Sequence, residues 1–374
     1  MNDELESVAQ SLKKAATPED VFGSFSGTRK EQLFQARSVY RRMIRVVFPD
    51  KYPLKGEKAL AEEATKKLNR FYEIAQEKIN NGNYGEGRSF TKTTSTVIKS
   101  PKFEYEMGEL LEKVDSFALY KCTWTEKNIQ QIGILKIPSS SAENDLIENE
   151  AKVLKLFDGK DEMPGMRAYV SKLTDTFAYK NSSISPNLSV NVFSNDENLY
   201  SLKQVLAKYP KGIDPKQVAW MWGRLLIALG YTHQHGVLHG AVLPDRILIQ
   251  PKEHGLVLTD FTYAVESPAK TGKRITAISS EYETWYPPEV FRKELPTPSM
   301  DIYMGARCMI ALLGGDPVEA TFPADVPVEL QGFFTGCLMD AEKMRPNDAF
   351  ILRDEFIQLI ERLWGRRKFI PFSM

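Results

Sequence analysis

The stretch His239–Ile249, HGAVLPDRILI, decides the reading of this chain. A histidine opens it, Pro244 stands in its middle, and the apolar run Ile247, Leu248, Ile249 closes it as a short strand. Upstream, residues 215–233 carry a helical pattern with Val218, Trp222, Leu225, Leu226 and Leu229 on one apolar face. HQHGVLHG then leads into the loop. Downstream, Leu256–Leu258 reads as a second short strand, and Asp260-Phe261-Thr262 follows it.

Further out, residues 103–137 hold strand-like runs such as FALYKCTW and IGILKI, and a helical pattern covers 143–157. Strands first and helices afterwards predict an α+β domain with a sheet lobe and a helical lobe. The start of the chain differs. Leu33, Ala36, Tyr40, Met43, Ile44 and Val47 recur at helical spacing until Phe48-Pro49-Asp50 stops the helix. Leu60, Ala64, Leu68, Phe71, Ala75 and Ile79 mark a second helix that ends at Asn80-Asn81-Gly82. The polar Gly/Ser/Thr-rich stretch between them and the strands predicts a flexible linker. The expected division is a helical module at 1–84, a linker at 85–101 and an α+β domain at 102–374.

Composition narrows the function classes. The 49 basic and 49 acidic residues cancel, so global charge argues for neither nucleic acid nor a membrane surface. Cys122, Cys308 and Cys337 are too few and too scattered for a disulfide framework or a metal knuckle, which fits a reducing compartment. MNDELESVAQ is acidic and lacks the apolar core of a signal peptide. No run approaches the ~20 apolar residues that span a bilayer. A cytoplasmic protein with protein partners is the expectation.

The order of signals over 102–360 resembles the protein-kinase fold. Lys136 in GILKI looks like the strand lysine that contacts the nucleotide phosphates, and Glu150 like its helix partner. Asp260-Phe261-Thr262 resembles the magnesium-binding triplet. Tyr286-Pro287-Pro288-Glu289 resembles the end of the activation segment. Asp301 matches the buried aspartate of the central helix, Arg345 the arginine that pairs with Glu289, and His239 the scaffold histidine of the catalytic loop. The resemblance implies Lys136, Glu150 and Asp260 as candidate nucleotide-binding residues, with ATP as cofactor and magnesium on Asp260 wherever nucleotide binds.

The departures imply lost chemistry. Ala241 stands where the family keeps its base, a group that contributes about 10²–10⁴-fold. Leu243 replaces the phosphate-contacting lysine. Arg246 replaces the metal-binding asparagine and should repel a cation. The glycine positions of the phosphate loop fall at Glu112, Val114 and Phe117. No catalytic residue is therefore assigned. Asp245, four residues past the base position, is the one nearby carboxylate for an active alternative. His233 and His235 lack the companion ligands of a metal site.

Residues 18–84 resemble a J-domain, the module through which co-chaperones stimulate seventy-kilodalton heat-shock chaperones. PEDVFGSF, the basic helix YRRMIRVV and FPDKYP carry the similarity. Arg41, Arg42, Arg45, Phe48, Pro49 and Asp50 are the implied chaperone-binding residues. Phe48 stands where the family has histidine, the residue most tied to ATPase stimulation. The expected fold is thus a small all-helical J-like domain followed by a two-lobed kinase-like domain. The expected role is a catalytically inactive adaptor, with an atypical kinase and a J-domain co-chaperone as alternatives.

Overall fold

The computed structural model describes residues 3–374 apart from 16, 24, 26–27, 53, 86–95, 160–162, 164, 181–186, 195–197 and 367. The chain forms two compact units. The first comprises Met1–Gln130, Leu135–Asp145 and Phe177–Val190; the second comprises Gln131–Ile134, Leu146–Thr176 and Asn191–Met374.

The first unit begins with α1 (Asp3–Lys14), α2 (Pro18–Phe22), α3 (Arg29–Val47) and α4 (Lys55–Asn81). A reciprocal cap starts α3: Thr28 accepts from Glu31 N, and the Glu31 carboxylate accepts from Thr28 N at 2.6 Å. Phe48-Pro49 ends α3, and a single 3₁₀ turn, Pro49–Lys51, leads toward α4. Gly82 closes α4 in the left-handed region, φ 76°, as the Asn-Asn-Gly signal predicts. The core joins Leu5, Val8 and Leu12 of α1 to Val39, Met43 and Val47 of α3 and Ala61, Ala64 and Leu68 of α4. Helix α1 goes beyond the sequence expectation, and its Leu5-Val8-Leu12 spacing is the signal that carries it.

The next elements are β1 (Thr96–Lys99), β2 (Glu104–Val114), β3 (Phe117–Glu126), β4 (Ile129–Pro138), α5 (Asn144–Leu156), β5 (Leu173–Tyr179) and β6 (Leu188–Ser194). The strands lie in one six-stranded sheet in the order β1-β2-β3-β4-β6-β5. Here the structure corrects the linker expected at 85–101. Its positions 86–95 lie outside the described residues, but Thr96–Lys99 is a strand, paired antiparallel with β2 from Thr96↔Met107 to Lys99↔Glu104. The β-branched pair Val97-Ile98 outweighs the Ser/Thr-rich composition around it. Ile98 is buried and Val97 is turned outward.

The second unit continues with β7 (Tyr200–Ser201), α6 (Leu202–Lys208), α7 (Pro215–Gln234), β8 (Val237–Leu238), β9 (Ile247–Gln250), β10 (Gly255–Leu258) and β11 (Val265–Glu266). Helices α8 (Pro268–Thr271), α9 (Pro288–Phe291), α10 (Pro298–Leu312), α11 (Val328–Cys337) and α12 (Ala349–Trp364) complete it. The apolar face read for 215–233 is the buried face of α7. Trp222 meets Phe334 of α11 edge-on at 5.6 Å. Each such buried side chain contributes about 1.5–3 kcal/mol. Strand β9, paired antiparallel with β10, fixes the C-terminal end of the deciding stretch, and β8, paired with β11, leads into its start. Among the described residues, no helix is long and apolar enough to cross a membrane.

Candidate functional site

The loop between β8 and β9 is held from beneath by Asp301 of α10. Its carboxylate accepts from His239 N at 2.8 Å and Gly240 N at 2.9 Å, and its Oδ2 lies 2.9 Å from His233 Nε2. His233 is thus engaged by a scaffold carboxylate. Gly240 has φ 77°, and a Cβ there would stand 2.4 Å from Tyr263 O, so only glycine lets the loop approach so closely. His239 is fully buried. Its Nε2 donates to Thr259 O at 2.8 Å, which leaves Nδ1 to accept from Ala241 N. Burial pushes the imidazole down to about 4, so the ring is neutral at physiological pH. Ala241 and Leu243 are buried apolar side chains with no proton to exchange. Asp245 sits in the 3₁₀ turn Pro244–Arg246 with its side chain 3% exposed.

Arg246 is the central feature. Its side chain is fully buried, its guanidinium lies 4.6 Å from the Tyr263 ring centroid, and its Nε is 3.2 Å from Asp260 Oδ2 and 3.9 Å from Asp245 Oδ1. Asp260 adopts φ 61°, and its Oδ1 accepts from Thr262 Oγ1 at 2.5 Å. A guanidinium therefore neutralises the carboxylate that the sequence marked for magnesium. Magnesium demands near-octahedral oxygen ligation, and a fixed cation 3.2 Å from the candidate ligand oxygen does not fit it. Among the described residues, no group of three or more His, Cys, Asp or Glu side chains could hold a metal ion.

Helix α5 is stapled to the segment after Asp260. Glu150, fully buried, accepts from Phe261 N at 3.0 Å and from Asn191 Nδ2 at 3.0 Å. Asn149 donates to Thr262 O and Ala264 O. Lys136 belongs to the first unit, while Glu150 and Asp260 belong to the second. Lys136 is buried on β4, with Nζ 4.9 Å from the centroid of the Phe117 ring. Phe117 opens β3 directly after the tight Asp115-Ser116 turn, so an aromatic ring occupies a position that the family resemblance gives to glycine.

The remaining candidates divide by role. Arg345 grips Glu289 with two hydrogen bonds, 2.5 and 2.9 Å, both side chains being almost fully buried. Of the basic residues on α3, Arg41 and Arg45 are exposed, but Arg42 turns inward. Arg42 pairs with Glu143 at 3.0 Å and donates to Ser116 Oγ at 2.5 Å. Burial pushes the Glu143 carboxyl up, and the charge of Arg42 opposes that rise. Phe48, 47% exposed, and Asp50 lie on the surface beside half-buried Pro49. Cys308 and Cys337 are buried thiols pushed upward by desolvation, which makes them poor nucleophiles.

Sequence reasoning missed Asn191, Asn149, Tyr263 and the Arg42–Glu143 pair. Their partners lie up to 115 positions away, and no local spacing announces them.

Comparison with known proteins agrees with this architecture. Among curated proteins, a similar one is the serine/threonine-protein kinase SMU1 of Mycosarcoma maydis, 31% identical over 167 residues, covering 39% of this chain and 22% of the relative. The chain thus spans about a fifth of that protein's length. The family model for the protein kinase domain matches residues 120–368. The match takes in the buried histidine loop, the Asp260 segment and the Glu289–Arg345 pair, and the chain belongs to the protein kinase domain family.

Proposed function

We propose that the chain is a catalytically inactive kinase-fold adaptor that binds partners and transfers no phosphate. The observation that carries this reading is Arg246, whose buried guanidinium neutralises Asp260 at 3.2 Å. Phosphoryl transfer needs a metal on that aspartate and a carboxylate to accept the hydroxyl proton. Ala241 supplies no base, and Phe117 closes over Lys136 where phosphate-loop glycine is expected. Any residual ATP contact falls to Lys136, Glu150 and Asp260. The N-terminal helical region is a degenerate J-like module. It offers Arg41, Arg45, Phe48, Pro49 and Asp50 to a protein partner, a seventy-kilodalton heat-shock-type chaperone being the first to test. Arg42, engaged by Glu143 and Ser116, drops out of that surface.

One observation favours the active alternative: the similar protein from Mycosarcoma maydis bears the name of a serine/threonine kinase. In that reading Asp245 replaces the base. Its side chain is 3% exposed and lies 3.9 Å from Arg246, a poor position for receiving a proton from a substrate hydroxyl. Incubation with labelled ATP and magnesium separates the two readings. The adaptor reading expects no label on the chain or on a generic acceptor protein. Labelling that disappears in both Asp245→Asn and Asp260→Ala would establish the active one.

A further inference from the structure

Residues 369–373 lie extended on the second unit, held by their main chain. His254 Nε2 donates to Ile370 O at 2.9 Å. Gln217 Nε2 donates to Ile370 O at 3.3 Å and Pro371 O at 3.1 Å. The Gln217 amide is oriented for this, because its Oε1 accepts from Trp220 Nε1 at 2.7 Å. Tyr209 OH donates to Ser373 O at 2.8 Å. Two aromatic platforms flank these donors. His254 is sandwiched between Trp220 (4.2 Å, 6°) and Phe369 (4.3 Å, 26°), and Phe372 packs on Tyr209 at 5.8 Å. His254 takes this place with φ 52°, a left-handed conformation uncommon for a side-chain-bearing residue.

The receptor side is built and the ligand side is loose. Gln217 and His254 are buried, whereas Phe369 is 61% exposed. Donors aimed at backbone carbonyls provide affinity for any extended chain, and ring platforms three residues apart provide selection, which is how proteins recognise linear peptides. We propose that Tyr209, Gln217, Trp220 and His254 form a peptide-binding groove. Its occupant in trans is an extended segment of a partner protein with the pattern aromatic-aliphatic-proline-aromatic, and residues 369–372 are its ligand in cis. This groove is separate from the Arg246 site and stands whether or not the chain transfers phosphate.

A tethered ligand competes at millimolar effective concentration, so the test weakens the cis segment in the full chain. A fluorescein-labelled peptide with the sequence of residues 368–374 is titrated by anisotropy against the wild type, against Phe369→Ala/Phe372→Ala, and against that variant with Gln217→Ala added. The groove predicts binding to the double variant at least about ten-fold tighter than to the wild type, lost again with Gln217→Ala. A scrambled peptide should bind none of them. Equal affinity for wild type and double variant overturns the proposal, as does no binding to the folded double variant up to about 1 mM. Limited chymotrypsin proteolysis of the wild type guards against misfolding of the variants. Saturating unlabelled peptide should speed cleavage after Phe369 and Phe372, which displacement frees from the groove, and unchanged cleavage there rejects the groove.

Discussion

Arg345 meets Glu289 fork to fork, with hydrogen bonds of 2.5 and 2.9 Å, and also donates to Met339 O at 2.7 Å and Asp340 O at 3.3 Å. Arg246 approaches Asp260 from one side, Nε to Oδ2 at 3.2 Å, with Asp245 at 3.9 Å. Both guanidinium groups are fully buried and both lie over tyrosine rings, Tyr303 and Tyr263. The first pair uses the directional donors of arginine, the geometry of a scaffold tie. The second brings one Nε within reach of two carboxylates, Asp260 being the nearer. In the proposed reading, a guanidinium 3.2 Å from Asp260 Oδ2 takes the electrostatic part of a cation there without the ligand geometry a metal needs. Position in the family pattern therefore does not tell whether a buried ion pair is scaffold or substituted site. Geometry does.

The sharpest way to break this contrast is to cut the scaffold tie. Arg345→Ala strands Glu289 in the interior, and removing one partner of a buried pair costs roughly 3–5 kcal/mol. Chemical denaturation should show a larger midpoint loss for Arg345→Ala than for Arg246→Asn, Arg42→Ala or Lys99→Ala. Arg246→Asn should cost less, about 1–3 kcal/mol, because Asp260 keeps its Thr262 hydrogen bond. Equal losses would dissolve the distinction.

The acid limb sharpens the comparison further. His239 is depressed to about 4, first by burial and also by the charge of Arg246. The unfolded chain holds this proton below about 6.5, so between those values it binds more protons than the fold does. Stability from neutral His239 is complete above about 6.5 and is lost as pH falls toward 4. Arg246→Asn should raise the His239 value and make this limb shallower. Arg345→Ala should leave its slope unchanged.

Smaller effects calibrate the first unit. Arg42→Ala leaves Glu143 buried with its Ser140 hydrogen bonds, an expected loss of about 1–2 kcal/mol visible in the thermal midpoint. Lys99→Ala removes an ion pair whose side chains are 71% and 65% exposed. It should change stability by less than about 0.5 kcal/mol.

Elements whose signal is local were legible in the sequence. Helices α3, α4 and α7 and strands β9 and β10 follow from periodicity and stop signals within a few residues of themselves. Strand β1 was hidden by Ser/Thr composition, and α1 by its short, strongly polar sequence, in which only Leu5, Val8 and Leu12 carry the buried face. In the site, Ala241, Leu243 and Arg246 were legible as substitutions. The consequence for Arg246 was legible only in part: a positive charge that repels a cation was foreseen, whereas its contact with Asp260 depends on how β9, β10 and Tyr263 bring the loop and the following segment together. Pairs such as Asn191–Glu150 and Arg42–Glu143 are tertiary facts with no local trace.

In the proposed reading Arg246 stands where a cation would bind beside Asp260. A magnesium titration followed by thermal melting, with ATP present, tests it most directly on the wild type and on Arg246→Asn. The wild-type midpoint in ATP should be the same with magnesium as with EDTA, and Arg246→Asn should gain a magnesium-dependent rise. A magnesium-dependent rise in the wild type that Asp260→Ala abolishes would contradict that reading.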